Sequence, residues 1–277
     1  MPKPKLTLKQ LTKLYNKKPE FINDYLTKFG KDLKGLQKEL LTVMLSDYLT
    51  NFQTQDGNVI FNEYNARQIN GLNKIFSDFQ AQFSDEFFKE TGNKMLELTG
   101  MTSEYFRELG YKKTTLSGIE KALEKYRITI GIDKKGEIIE GSFISNLTKS
   151  EPVREELADF LRKGIEGERK YKDIVKGFKD IIVGTPESNG AHERYIGGYV
   201  HDSFFAHGRA IDNFFAQELG LTHFIYAGDV IEKTRPFCEE RAGNVYSIDE
   251  LEEWNDLDWA GKIEGEDVAT QLGGLYC

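Results

Sequence analysis

The 277-residue chain has only two cysteines and six prolines, and it contains no run of about 18 apolar residues. Two cysteines cannot build a disulfide framework, and without a long apolar run no segment is expected to span a membrane. The opening "MPKPKLTLKQ" is basic but lacks the apolar stretch of a signal peptide. These absences predict a folded intracellular protein with reduced thiols and no membrane partner.

The common catalytic and nucleotide-binding motifs are also missing. The sequence has no HExxH, no G-x-S-x-G and no glycine-rich phosphate loop. His192, His201 and His207 fall on one predicted helix at spacings of nine and six residues. At ~100° per residue, neighbouring imidazoles lie about 180° and 120° apart around the axis, so one helix cannot direct them to a single ion. The sequence therefore predicts no catalytic residue, no metal and no cofactor.

Apolar residues recur every three or four positions from Leu6 to about Tyr126, which predicts long amphipathic helices. The first stripe comprises Phe21, Tyr25, Phe29, Leu33, Leu36, Leu40 and Met44. The second comprises Ile69, Leu72, Ile75, Phe76, Phe79, Phe83 and Phe87. Stripes of this kind favour a helix-packing core over a ligand-binding box. The predicted fold class is mainly α, with a small α+β module at the carboxyl terminus.

The apolar period changes near residue 127. "YRITIGIDKKGEIIEGSFI" alternates around "DKKG", which predicts a β-hairpin near 127–145. Two helices are expected at about 151–164 and 167–182, followed by a loop at 183–190, "VGTPESNG". One more long helix is expected from about Ala191 to Glu218, with Gly220 as its stop. These changes predict two parts, a helical region with the hairpin at 1–185 and a second module at 190–277.

The densest stretch of the chain is "YAGDVIEKTRPFCEERAGNVYS", residues 226–247. Thr234 is a suitable cap for a short helix, Pro236 suits its first turn, and Gly243 suits its end. A buried Arg235 would need several acceptors, and Asp229 lies just upstream to supply them. The stretch is therefore interpreted as an Asp–Arg clasp that joins a strand to a helix.

The acidic segment "SIDELEEWNDLD" that follows has two interpretations, a divalent-ion site or the start of a helix. Ser247 and Glu250 have the spacing of a capping box, and Tyr246 and Leu251 that of a hydrophobic staple. Acidic residues in a first helical turn are also favoured by the helix dipole. The helical interpretation is preferred.

Charge is unevenly distributed along a chain whose net charge is −8. Residues 1–50 carry ten lysines and five acidic residues, whereas residues 229–277 carry four basic and thirteen acidic residues. A basic start and an acidic end suit partners of opposite sign. Solvated helix faces are the simpler explanation for each end taken alone.

In the last ninety residues a long helix is followed by "GLTHFIYAGD", "EKTRPFCEERAGNVYS", "WNDLDWAGK" and "QLGGLYC". This order of motifs resembles the carboxyl-terminal module of the phage Mu F-like minor head proteins, a family of tailed-phage head morphogenesis proteins. The matching positions are Asp229, Thr234, Arg235, Cys238, Gly243, Trp259, Gly261, Gly273, Gly274 and Cys277. Cys238 stands where many members have His, and the chain ends at Cys277, where members commonly continue with Arg-His.

The resemblance implies a structural protein of few copies in the virion head, present in the host cytoplasm during assembly. Its partners would be the phage portal protein and capsid or scaffold components, with DNA contact possible through the basic amino-terminal helices. It would assist head assembly or genome delivery and would not be an enzyme. The alternative is a metal-dependent nuclease or hydrolase that uses Asp229, Arg235, Cys238 and His223.

Overall fold

A computed structural model describes residues 7–226, 232, 234–262, 264–265 and 267–271. The predicted fold class is confirmed: long helices dominate, with a few two-stranded antiparallel sheets. The helices are α1 (Leu8–Val43), α2 (Glu63–Phe79), α3 (Asp85–Glu108), α4 (Lys113–Ile130), α5 (Phe143–Lys149), α6 (Glu151–Glu166), α7 (Tyr171–Val183), α8 (Gly198–Glu218), α9 (Pro236–Glu239), α10 (Ile248–Glu253) and α11 (Val268–Gln271). The strands are β1 (Thr54–Gln55), β2 (Asn58–Val59), β3 (Gly184–Thr185), β4 (Ser188–Asn189), β5 (His223–Ile225) and β6 (Val245–Ser247).

The backbone packs into two compact units, each assembled from separate stretches of the chain. The first unit comprises Met1–Ile22, Met95–Lys125 and Tyr199–Cys277. The second comprises Asn23–Lys94 and Tyr126–Gly198. A boundary between independently folding parts at 185–190 stays a prediction. In the described part of the chain, no helix has both the length and the apolar character needed to cross a bilayer.

The first predicted stripe is largely confirmed by the buried face of α1. Phe29, Leu33 and Leu40 are at most 3% exposed, as the spacing predicts. At the start of the stripe, Ile22 is buried in place of Phe21, which is only half-buried. Because residues three and four apart lie on one side of a helix, a single stripe lines the buried face of α1 from Ile22 to Leu40.

The second stripe is confirmed up to Phe79 and then shifts by one residue. Between α2 and α3 the chain forms one π-helical stretch, Gln80–Ser84, whose hydrogen bonds enclose one more residue than those of an α-helix. The extra residue rotates the buried face, so Ser84 and Phe88 are buried where Phe83 and Phe87 were predicted. Two further π-helical stretches, Met44–Tyr48 and Glu193–Gly197, follow α1 and precede α8.

The hairpin predicted near 127–145 is confirmed only as a turn. Residues 127–130 belong to α4, because Leu123 and Ile130 are buried at helical spacing, a pattern that the alternating letters also allow. Beyond the helix, Ile132 and Ile138 form a single antiparallel bridge. The carboxylate of Asp133 closes the turn by accepting hydrogen bonds from two backbone N–H groups.

The predicted loop at 183–190 is a tight hairpin, because β3 and β4 pair in register. Gly184 adopts a positive φ of 92°, and a Cβ there would lie 2.5 Å from the Ser188 carbonyl oxygen. Pro152 lies in the first turn of α6, as predicted. Gly220 ends α8 with φ of 64°, and the N–H of Leu221 donates to the carbonyl of Ala216 in the expected C-cap pattern.

Candidate functional site

The residues that carry the family resemblance belong to a small module at the carboxyl end of the first unit. Strands β5 and β6 pair antiparallel, with Phe224 opposite Tyr246. The ladder continues past the strands, because the N–H of Tyr226 donates to Asn244 and the N–H of Gly243 donates to Tyr226. Gly243 has φ of 78°, a conformation that glycine adopts without strain. It belongs to the turn that leads into β6, four residues after the end of α9.

An aromatic cluster forms the core of this module. Phe237, Trp254 and Val268 are buried, and partly buried aromatic side chains pack around them. The Trp254 ring is at the centre, with the ring centroids of Tyr246 and Phe237 at 4.7 and 5.5 Å in edge-to-face geometry. Edge-to-face pairs of this kind add about 0.5–1.5 kcal/mol beyond the burial of their area. Helix α9 and the turn at Trp254–Asp256 are therefore fixed by the side chains that they contribute to one cluster.

Arg241 covers this cluster from its polar side. Its guanidinium carbon lies 3.9 Å from the centroid of the Phe237 ring and 4.9 Å from that of Trp254. One terminal nitrogen donates to the Phe237 carbonyl oxygen at 2.9 Å. The side chain is 16% exposed, so the cation is largely withdrawn from water and held by two aromatic faces and a carbonyl.

Arg235 lies directly against Gly261. A Cβ placed on Gly261 would come within 2.6 Å of the Arg235 guanidinium carbon, and Gly261 has φ of 87°. One terminal nitrogen of Arg235 is buried without a hydrogen-bond acceptor among the described residues. The structure thus brings together two predicted site residues that are 26 positions apart. The Asp229 half of the predicted clasp lies outside the described residues.

Trp259 extends the stack outward from the core. Its ring packs on Phe237 with centroids 4.3 Å apart and an interplanar angle of 20°. The Lys262 ammonium lies 5.2 Å from the Trp259 centroid and donates to the backbone carbonyls of Asn255 and Leu257. These contacts of Lys262 hold the segment that follows Trp259 against residues 255–259 of the module.

The predicted helix cap at Thr234 is wrong by one residue. Helix α9 begins at Pro236 and its N-cap residue is Arg235, which makes no side-chain capping bond. Because Pro236 has no N–H, the first position of this helix needs no capping acceptor. Cys238, one turn further on, is half-buried and packs against the aromatic cluster. Gly273, Gly274 and Cys277 lie outside the described residues.

The capping box at the start of α10 is confirmed. The N–H of Glu250 donates to the Ser247 hydroxyl, and the Glu250 carboxylate accepts from the Ser247 N–H at 2.7 Å. These bonds from Ser247 hold the pKa of the Glu250 carboxyl below its ordinary value. Tyr246 and Leu251 both pack against the aromatic cluster, and a direct staple contact between them stays a prediction. The acidic segment therefore contributes to a helix start.

The four histidines are in different surroundings. His192 is completely buried, with Nε2 3.2 Å from the Ser150 hydroxyl, and burial lowers its pKa to about 4. His207 is 9% exposed and burial likewise lowers its pKa to about 4. His201 and His223 are exposed. Within the described ranges no three His, Cys, Asp or Glu side chains are grouped as metal ligands.

Two residues of the module were missed by sequence reasoning, namely Trp254 and Arg241. Both tryptophans of the chain occur within six residues of each other, and that concentration in an acidic segment is a signal for a local aromatic core. Arg241 follows Phe237 by four residues, the spacing at which two side chains on a helical turn meet. The resemblance drew attention to Arg235 and Trp259 instead.

Comparisons with known proteins return no relative. No family model matches the chain, and neither a curated protein nor a solved structure matches it.

Proposed function

We propose that this chain is a minor head protein of a tailed phage that associates with the portal and assists head assembly or genome delivery. The proposal rests on the ordered motifs of the last ninety residues, which resemble the carboxyl-terminal module of the phage Mu F-like proteins. The described motif positions other than Thr234 all support the local fold of the module. Arg235 lies against Gly261, Gly243 makes a positive-φ turn, and Cys238 and Trp259 pack on the aromatic cluster.

Motif residues that hold the local fold are what a binding module needs to keep its surface in place. A catalytic set would have to bring reacting groups together in a cleft. Here the motif positions support the local fold, and the exposed surface of the module is rich in acidic side chains, which are Glu239, Glu240, Asp249, Glu250, Glu252, Glu253, Asp256, Asp258, Glu264 and Asp267. An acidic exterior over a small fixed core suits the recognition of a basic protein surface.

The basic amino-terminal helix supplies the second proposed contact, with DNA or with an acidic portal surface. Lys13 and Lys17 are exposed in the first unit. Lys18 is not available, because it is 7% exposed and its ammonium lies 2.6 Å from the Asp212 carboxylate and 2.8 Å from the Thr102 hydroxyl. The positive charge offered to a partner is therefore smaller than the lysine count indicates.

Co-expression with the portal and capsid proteins of the same phage tests the assignment. The chain should sediment with portal rings or with head particles at low salt, and less of it should do so at moderate salt, because exposed charge pairs are screened beyond ~8–10 Å. Lys13→Glu/Lys17→Glu should weaken the association. Lys172→Glu/Lys176→Glu, which reverses two exposed lysines of α7, is the matched control. Absence of the chain from both rings and particles, at low salt as well as at moderate salt, would reject the assignment.

Elemental analysis of the purified protein separates this proposal from the hydrolase alternative. The assembly role requires no bound metal, whereas the alternative requires one near Cys238 and Asp229. Stoichiometric zinc that is lost in Cys238→Ser would favour the metal site. Loss of thermal stability in the same variant, with portal binding retained at low temperature, would then assign that site a structural role.

A further inference from the structure

A shallow groove of about 550 Å³ follows the outer face of α6 in the second unit. Its lining comes from one stripe of α6, from Arg169 beyond the end of that helix, from Ile181 of α7, and from Tyr195. The opposite face of α6 carries the buried residues Val153, Leu157 and Leu161. Helix α6 therefore has one face in the core and a second, structured face towards solvent.

The middle of the groove is aromatic and held in position. The Phe160 ring rests on Gly177, where any Cβ would collide with it. Tyr195 is 42% exposed, and the Arg194 guanidinium lies 5.3 Å from its ring centroid. Both carboxylate oxygens of Glu156 accept from Arg194 at 2.9 Å, which fixes that guanidinium. The groove thus presents apolar area whose side chains are already ordered, which reduces the entropy cost of covering it.

Charges along the groove change sign from one end of α6 to the other. Glu155, Glu156 and Asp159 lie towards the start of the helix, and Lys163 and Arg169 towards its end. Glu156 is paired with Arg194, and Asp159 with Arg162.

Three charged groups of the groove are left without an ion pair after these two pairs are formed. Glu155, Lys163 and Arg169 have no ion-pair partner among the described residues, although Arg169 lies 5.9 Å from the Phe160 ring centroid. At ~1.5 Å per residue, Glu155 and Lys163 are about 12 Å apart along the axis, with Asp159 and Phe160 between them. A groove that is acidic at one end and basic at the other is complementary to its own reversed copy.

From this pattern we propose that the groove along α6 is a self-association surface, through which two copies of the chain pair around a two-fold axis near Phe160. In such an isologous interface α6 packs against α6 of the second copy in antiparallel orientation. Glu155 of each copy then lies opposite Lys163 of the other, and the two Phe160 rings meet at the centre. The two Asp159 carboxylates approach each other there, each neutralised by its own Arg162.

Sedimentation equilibrium of the full-length chain, without phage partners, gives the first test. The wild-type chain should show a concentration-dependent monomer–dimer equilibrium whose dissociation constant rises with salt. A chain that sediments as a monomer at every concentration and at low salt overturns the proposal.

Complementary charge reversal gives the second and sharper test. Glu155→Lys places two like-charge contacts in the symmetric dimer, and so does Lys163→Glu, so each variant alone should dimerise roughly 10-fold more weakly or worse. An equimolar mixture of the two variants restores opposite charges at both contacts. It should form a mixed dimer with an affinity close to that of the wild-type chain.

Matched controls come from an exposed ion pair on α2 in the same unit. Glu63→Lys and Arg67→Glu make the same changes in net charge, and their pair is fully on the surface. Both controls should dimerise as the wild type does. If the α6 variants also dimerise normally, or if both lose dimerisation and their mixture does not regain it while circular dichroism shows intact helices, α6 is not the interface.

Discussion

Helix α6 buries Val153, Leu157 and Leu161 along one face and belongs to the second unit, whose core draws on many helices. The carboxyl-terminal module has only three buried apolar side chains among its described residues. In the second unit, the buried apolar area is spread over many positions at helical spacing. The module depends on one tryptophan, a guanidinium held between aromatic faces, and local caps. A small core cannot absorb the loss of a central side chain, so single substitutions should separate the two regions experimentally.

Trp254→Ala should have the largest effect. Removal of the central ring should destabilise the module by about 3–5 kcal/mol, because four aromatic neighbours lose their contact at once. Trp259 is then the remaining tryptophan, and its emission should show a solvent-exposed ring without denaturant while most of the far-ultraviolet ellipticity persists.

Phe178→Ala is the matched substitution in the second unit, where the Phe178 side chain is buried as well. It should lower the urea midpoint measured by ellipticity and leave tryptophan emission in water unchanged. Native Trp259 emission in Trp254→Ala would show that the cluster does not depend on that ring.

Acidification should affect the helices through two buried imidazoles. Burial lowers the pKa of His192 and of His207 to about 4 from 6.5, so the unfolded chain binds more protons between these values. Stability is complete above about pH 6.5 and falls as the pH decreases towards 4, by roughly 2–3 kcal/mol per histidine at pH 4.5.

Urea unfolding followed by ellipticity at several pH values measures this dependence. His192→Gln should remove its share of the slope, and so should His207→Gln. His201→Gln, at an exposed position of the same part of the chain, should leave the slope unchanged. An equal slope in all four proteins would assign the acid sensitivity to other groups.

Gly261→Ala should destabilise the module by about 1–3 kcal/mol. A Cβ would meet the Arg235 guanidinium at 2.6 Å, and φ of 87° is unfavourable for alanine. Arg235→Ala should cost less, about 1–2 kcal/mol, because the side chain is half-buried and not fully enclosed.

The double variant Arg235→Ala/Gly261→Ala sharpens this test, because removal of the guanidinium opens the space that the new Cβ needs. The two losses should therefore be less than additive in unfolding followed by tryptophan emission. Additive losses would mean that the two residues do not act on each other. Normal melting of Arg235→Ala together with loss of an enzymatic activity would instead make Arg235 a catalytic arginine.

Ser247→Ala should have the smallest effect, about 1 kcal/mol, because it removes one N-cap acceptor from the short helix α10. Ser247→Asp is the control, since aspartate caps a helix as well as serine does. The measurement is again the unfolding midpoint from tryptophan emission. Equal midpoints for the two variants would contradict a capping role.

Local rules account for what was predicted correctly in the sequence. The buried face of α1 at Phe29, Leu33 and Leu40 follows from helical spacing alone. The stop at Gly220 and the capping box at Ser247 depend on hydrogen bonds that span at most five residues. In each case the interacting groups are close in sequence, so a short window of sequence includes both partners of the contact.

The errors came where a local pattern had two solutions. The letters of 127–130 fit a strand and a helix equally well, and packing of Ile130 selected the helix. At α9 the preference of Pro236 for the first helical position placed the N-cap at Arg235, one residue after the predicted Thr234. For residues 127–130 local propensity does not separate strand from helix, because the difference in free energy lies in distant contacts.

The sequence by itself determined that the chain is mainly helical and where most of its long apolar faces lie. Tertiary structure alone decided that the π-helical stretch at Gln80–Ser84 turns the core face from Phe87 to Phe88, and that Arg241 lies over Phe237 and Trp254. It also placed Gly261 beneath Arg235. The physical reason is sequence separation. Helical hydrogen bonds and side-chain periodicity act within about one helical turn. The contacts named above depend on which distant surfaces meet when the chain packs.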